Sequence, residues 1–97
     1  MNLAEFQSSQ KRAIPPSGMS FALQSLWFDA KGDWKKAHEL AQEDAEPAGD
    51  WVHAYLHRKE GDASNARYWY VRAGKPVCSG SLEAEWAAIS EALLAKL

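Results

Sequence analysis

The sequence predicts an all-α protein built from two stacked helical hairpins and a C-terminal capping helix. The first reason is an internal repeat: residues 31–37 (KGDWKKA) and 60–66 (EGDASNA) share a Gly-Asp corner followed by an Ala, and Gly61 follows Gly32 by 29 positions. The second is the spacing of apolar residues, which is helical on both sides of each corner and nowhere alternates as in a strand. The third is the presence of five Trp in 97 residues among many Ala, because large and small side chains interlock where short helices pack closely.

The N-terminal residues 1–18 are predicted to be an arm. Within it, residues 2–12 form either a short helix with Leu3 and Phe6 inward or a loose segment, and a Pro-Pro-Ser-Gly sequence prevents any continuation. The first hairpin then begins with a helix over residues 19–31. Its inward face carries five apolar residues at helical spacing: Met19, Leu23, Leu26, Trp27 and Ala30.

The second helix of this hairpin is predicted from residue 34 to about residue 45. Gly32 ends the preceding helix, and the carboxylate of Asp33 is a good N-cap because it accepts hydrogen bonds from free backbone N–H groups. Residues 46–49, Glu-Pro-Ala-Gly, are expected to close the helix. One stripe of the helix carries Trp34, Ala37, His38, Ala41 and Ala45.

The second hairpin begins at residue 51, with Asp50 as the predicted N-cap of its first helix. The Gly-Asp corner then repeats, and the second helix ends at Gly74 and Pro76, because Gly supplies a left-handed residue and Pro prevents resumption. The two hairpins together occupy residues 19–76. Their second half places inward Trp51, Val52, Tyr55 and Leu56 from one helix and Ala66, Trp69, Tyr70 and Ala73 from the other.

The last predicted helix, residues 81–97 with Ser81 as its cap, is expected to cover the stack. Two hairpins leave an apolar end face, and a stack of this kind needs a polar cap or a partner. Leu94 and Leu97 add apolar surface on a second side, so a homodimer through this helix is one expectation. The residues expected to cover the stack are Leu82, Trp86, Ile89 and Leu93.

The second corner and the helix after it resemble the tetratricopeptide repeat. That copy carries the repeat's pattern as Gly61-Asp62, Ala66, Tyr70 and Ala73, whereas the first copy has Ala41 and Asp44 at the last two positions. The likeness covers residues 19–76, although its period is shorter than the ~34 residues of that repeat. Residues 51–76 are also similar to a group of small, mostly bacterial proteins that are described only as tetratricopeptide-like.

This resemblance implies a right-handed α-α superhelix in which the first helix of each hairpin lines a concave groove. Groove residues of such proteins bind peptide segments, so the resemblance implies a non-enzymatic module for protein–protein interaction or self-association. Two hairpins make a short groove, whose binding would be weak or would need a dimer. The expected groove residues are Trp51, Tyr55, Arg58 and Lys59, joined by Ala22, Leu26 and Asp29.

The histidines are the alternative candidate site. His53 and His57 stand four residues apart on one helix and can converge on a Zn²⁺ ion, and His38 is the candidate for a third ligand. The Glu of the zinc hydrolase motif is absent, however, since Ala54 follows His53. The interpretation we favour is that both histidines are packing groups with a ring N–H bonded to a carbonyl or carboxylate such as Glu60. A third interpretation is a small-ligand pocket, catalytic or not, formed by His38, His53, His57, Trp69 and Arg72.

The remaining motifs assign no chemistry. Cys78 is alone, without a base near it in sequence, and the chain has no Gly-rich phosphate loop and no Gly-x-Ser-x-Gly motif. We therefore identify no catalytic residue, expect no cofactor and no metal, and favour a non-enzymatic role.

Composition and charge narrow the function classes further. The net charge is −2 with both signs interspersed, which argues against a nucleic-acid or membrane-surface partner. The chain has no long apolar run and no signal-peptide layout, and its single Cys suits a reducing compartment. A cytoplasmic protein with a protein or peptide partner, or one that forms a homodimer, is the expectation.

Overall fold

The computed structural model describes residues 1–97 and confirms the all-α prediction. A 3₁₀ turn, Ser9–Lys11, follows the first helix, and there is no strand. None of the helices is both long and apolar enough to cross a membrane. The six α-helices are α1 (Leu3–Ser8), α2 (Phe21–Ala30), α3 (Trp34–Glu43), α4 (Pro47–Lys59), α5 (Ala63–Ala73) and α6 (Leu82–Leu94).

Both Gly-Asp corners lie between helices, as predicted. Gly32 and Gly61 adopt φ values of 88° and 91°, a region that favours Gly. Asp33 and Asp62 then cap α3 and α5, each accepting a hydrogen bond from the backbone N–H three residues on. The same local chemistry therefore closes each hairpin with a three-residue link.

The start of α4 differs from the prediction. The helix begins at Pro47 rather than at Trp51, and Glu46, not Asp50, is its N-cap residue. Pro is tolerated at the first helical position because its missing N–H has no intrahelical partner there. Asp50 instead lies in the first turn, where a carboxylate is favourable to the helix dipole. The link between the hairpins is therefore only Asp44–Glu46.

The helices α2 to α5 pack in chain order. The pairs α2–α3 and α4–α5 form the two hairpins, α3 packs against α4, and α2 also contacts α4. Trp27 and Trp86 belong to the core, whereas Trp34, Trp51 and Trp69 are half-buried at its edges. The largest fully buried side chains are Trp27, Tyr70, Phe6, Leu23, Leu26, Leu56 and Ile89.

The last helix does not cover the end of the stack, where we expected it. It lies across α2 and α4, so that it covers the face predicted to be the groove. The indole N–H of Trp86 donates to the carbonyl of Leu26, and Phe6 of α1 stacks on Trp86 with ring centroids 5.6 Å apart. Leu94, predicted to add outer surface, is buried in the core, and only Leu97 is exposed.

Gly49 allows α4 to approach the preceding link closely, so we expect Gly49→Ala to destabilise the protein. A Cβ at this position would overlap the backbone oxygen of Asp44 and lie 3.0 Å from that of Ala41. Overpacking against backbone costs about 1–3 kcal/mol, which urea unfolding measures. Gly80→Ala is the matched control, because its Cβ would meet nothing nearer than Cys78 Sγ at 4.0 Å. Equal stability of the two variants would contradict this account of the link.

Ser90 of α6 is fully buried, and its hydroxyl has no hydrogen-bond partner. Ser90→Ala is therefore expected to raise the free energy of unfolding by about 1 kcal/mol, because it removes an unpaired polar atom. Ser25→Ala is the paired comparison, since the equally buried Ser25 hydroxyl donates to the Ala37 carbonyl at 2.6 Å. That variant should lose about 1 kcal/mol. Chemical denaturation of both variants checks the opposite signs, and a loss in both would refute the argument for Ser90.

Candidate functional site

Three histidines meet where the two hairpins join. His38 comes from α3, the second helix of the first hairpin, whereas His53 and His57 come from α4. The indole N–H of Trp34 donates to the Leu56 carbonyl at 3.0 Å, which fixes α3 against α4 one turn away from His38. The cluster is therefore a product of the packing between hairpins and not of either hairpin alone.

The imidazole rings are in direct contact. The Nε2 atoms of His38 and His53 are 2.8 Å apart, a hydrogen-bond distance. The centroids of the His53 and His57 rings are 4.8 Å apart, and those of His38 and His57 are 5.2 Å apart. One ring nitrogen from each of the three residues lies within 4.8 Å of the other two.

Two tryptophans form the walls of the cluster. Trp34 stacks on His38 with centroids 4.9 Å apart, and Trp69 of α5 stacks on His53 with centroids 3.8 Å apart. His53 and His57 are buried, whereas His38 is half-buried at the rim. Stacking restrains the ring orientations, so the nitrogens are held together before any ligand arrives.

The hydrogen bonds of the cluster are incomplete. Nδ1 of His57 lies 2.5 Å from Oε2 of Glu60, the carboxylate named in the packing interpretation, and its N–H donates to that oxygen. This bond leaves the lone pair of His57 on Nε2. Nδ1 of His38 and Nδ1 of His53 have no hydrogen-bond partner within the chain. The packing interpretation thus accounts for the His57–Glu60 contact and the Nε2 pair, and the two Nδ1 atoms are not buried away from solvent.

Two of the three imidazoles, His38 and His53, are favoured in the neutral form. Burial, followed by the neighbouring His38 and His57, lowers the pKa of His53 to about 4. Burial, followed by His57, also lowers the pKa of His38. A neutral imidazole keeps the lone pair that a metal ion requires.

A depression of about 350 Å³ lies beside the cluster on the His53 side. The guanidinium carbon of Arg72 sits 5.2 Å from the Trp69 ring centroid, and Arg72 Nε lies 3.6 Å from a carboxylate oxygen of Asp50. Of the predicted pocket residues, His53, Trp69 and Arg72 line this opening, whereas His38 and His57 contact His53 but do not line it.

The predicted groove residues are largely engaged within the chain. Tyr55 is buried and its hydroxyl donates to Asp29 at 2.8 Å, while Lys59 pairs with the same carboxylate at 2.9 Å. Arg58 pairs with Glu85 of α6 at 2.9 Å. What remains open is a cleft of about 430 Å³ bounded by α1, α2, α4 and α6. Trp51 lies elsewhere, under the ammonium group of Lys75, and Ala22 and Leu26 are core residues.

Sequence reasoning missed Glu85, which is buried and accepts hydrogen bonds from both Arg58 and Tyr70. A signal for it existed, because Glu85 follows Leu82 by three positions and precedes Ile89 by four, on the apolar stripe of α6. An acidic residue on such a stripe indicates a buried ion pair.

No family model matches the chain, and neither the curated proteins nor the solved structures include a significant match.

The lowered pKa of His53 predicts that the metal-free protein loses stability on acidification. The unfolded chain takes up this proton near pH 6.5 and the folded chain only near pH 4, so stability falls as pH decreases through that window. The loss is at most about 3 kcal/mol for this group. Denaturant unfolding in the presence of a chelator measures it at each pH.

His53→Phe is the control for this prediction, because it keeps an aromatic ring against Trp69 and removes the titrating group. Its stability should depend less steeply on pH between 6.5 and 4 than that of the wild type. An unchanged slope would show that His53 does not carry the effect.

Proposed function

We propose that the three-histidine cluster binds a divalent transition metal ion. The observation that carries the proposal is the convergence of three imidazoles from two hairpins, with nitrogens within 4.8 Å of one another. Imidazole ligands suit Zn²⁺, Cu²⁺ and Ni²⁺, whereas Mg²⁺ and Ca²⁺ prefer oxygen ligands. No thiolate belongs to the cluster, and this favours Zn²⁺ or Cu²⁺ over softer ions.

The pair His38 and His53 needs only a small adjustment to reach a ligating geometry. Two imidazole nitrogens bound to one tetrahedral Zn²⁺ are about 3.3 Å apart, given Zn–N bonds of about 2.0 Å. The Nε2 atoms of His38 and His53 are 2.8 Å apart and would separate by about half an ångström. The ion replaces the hydrogen bond between them, and water takes the fourth position.

Glu60 acts as a positioning residue in this proposal. Its carboxylate accepts the Nδ1–H of His57 and leaves Nε2 as the nitrogen available to the metal ion. Carboxylate partners of metal-bound histidines commonly contribute tenfold to a hundredfold in affinity.

We also propose that α2 to α5 form two tetratricopeptide-like hairpins in a right-handed stack, with a role in protein interaction. The packing order supports this, since α2 contacts α3 and α4, α3 contacts α4, and α4 contacts α5. Peptide binding in the groove has less support, because α6 packs on α2 and α4 and because Tyr55 and Arg58 already bind the carboxylates of Asp29 and Glu85.

Zinc titration tests the metal proposal. We expect one ion per chain, and thermal unfolding should shift upward as Zn²⁺ is added, because a ligand at about 100 times its Kd stabilises the folded state by about 2.7 kcal/mol. His38→Ala should abolish the shift, and Glu60→Gln should weaken binding by about tenfold to a hundredfold.

Glu43→Gln is the matched control, since this exposed carboxylate of α3 lies outside the cluster. Wild-type affinity in that variant, together with reversal of the shift by a chelator, supports the site. Undiminished zinc binding in His38→Ala would overturn the proposal.

A further inference from the structure

We propose that the outward face of α5 docks an acidic amphipathic helix of a partner protein. This surface, which we name the α5 face, consists of residues along one side of the helix and just beyond its end. Its members are Ser64, Arg67, Tyr68, Val71 and Lys75, all of them exposed.

The path of α6 leaves the α5 face without a neighbour. The second helix of the first hairpin, α3, packs against the next helix, α4, whereas the helix after α5 turns away to cover α2 and α4. Trp34 and His38 of α3 make the contacts to α4. The equivalent residues of α5 lie one repeat period, 29 positions, further along the chain. They are Ala63 and Arg67, and both are exposed.

The centre of the α5 face is apolar. Val71 is 73% exposed, the largest exposed fraction among the chain's large hydrophobic residues, and Tyr68 is 55% exposed. The two residues are three positions apart, so they lie side by side on the helix surface. The apolar stripe of a second helix packs against pairs of residues at this spacing.

The surroundings of this apolar pair are basic. The twenty residues 63–82 contain Arg67, Arg72 and Lys75 but none of the chain's 13 acidic residues. The remainder of the chain holds the other 8 of 11 basic residues and all 13 acidic ones, a net charge of 8 − 13 = −5. Arg67 and Lys75 form no ion pair, although the Lys75 ammonium lies 4.3 Å from the Trp51 ring centroid, and Arg72 is within reach only of Asp50.

Charge complementarity therefore selects a partner with carboxylates on either side of an apolar stripe. A basic rim suppresses cationic partners and speeds the encounter with acidic ones. A second copy of this chain is a poorer fit through the same face, because Arg67 and Lys75 would meet their own like charges. A nucleic acid would also be repelled by the net charge of the rest of the chain.

The test uses two synthetic peptides. A chelator is present throughout, so the result does not depend on whether the histidine cluster binds a metal ion. The first probe is an 18-residue peptide with Leu at helical spacing and Glu at the flanking positions, and the second has Lys in place of every Glu. NMR titration of the whole chain, labelled with ¹⁵N, measures both affinity and the location of the contact.

We expect the acidic peptide to bind at least about tenfold more tightly than the lysine peptide, with the shifted amides concentrated on α5. Arg67→Glu and Val71→Asp should each weaken the acidic peptide by about tenfold. Lys35→Glu, a charge reversal on the exposed start of α3, is the matched control and should leave the affinity unchanged within about twofold.

Four results would overturn the proposal. Two of them concern affinity: the two peptides bind equally well, or neither peptide binds. The third is a set of amide shifts centred on α2 and α4, which would mean that the peptide displaces α6. The fourth is a concentration-dependent dimer of the chain that Val71→Asp abolishes. The last result would assign the face to a second copy of this chain.

Discussion

The close approach of α3 and α4 across a three-residue link is the constraint on which the rest of the structure depends. Asp44 accepts hydrogen bonds from the backbone N–H groups of Ala22 and Glu46, which ties the ends of three helices together. Gly49 removes the side chain that would otherwise hold α4 away. Once this link is closed, the register of α3 on α4 is fixed, and His38 meets His53 as a consequence.

The central helix α4 divides its polar residues between two faces. One face carries His53 and His57 toward α3 and α5, and the other carries Tyr55, Arg58 and Lys59 toward α2 and α6. On the second face each polar group has a partner in the chain, as a buried charge requires. On the first face the Nε2 atoms of His38 and His53 are bonded only to each other, so that an ion can replace their bond without breaking a wider network.

The sequence could predict the helices and corners because their signals are local. Asp33 and Asp62 cap the helices they precede, and Gly32 and Gly61 occupy the left-handed turns. The start of α4 could not be located, because Pro47 ends one helix as readily as it begins the next.

Other features depended on information that a local pattern does not contain. The apolar stripe of α6 predicts burial, but it does not specify whether α2 and α4 or the end of the stack provides the contact. For the histidines, the sequence alone places His53 and His57 four residues apart on one helix and makes His38 the candidate for a third ligand. Trp69 could also be assigned to the pocket from sequence, but Trp34 could not, because its stacking on His38 depends on how the helices pack.

X-ray absorption spectroscopy of the zinc-loaded protein tests the central claim most directly. If the α3–α4 register assembles the site, the spectrum will contain three imidazole nitrogens at about 2.0 Å from the ion and one further light atom. A shell with a single imidazole, or six oxygens, would contradict the account, because the three histidines would then not converge on one ion.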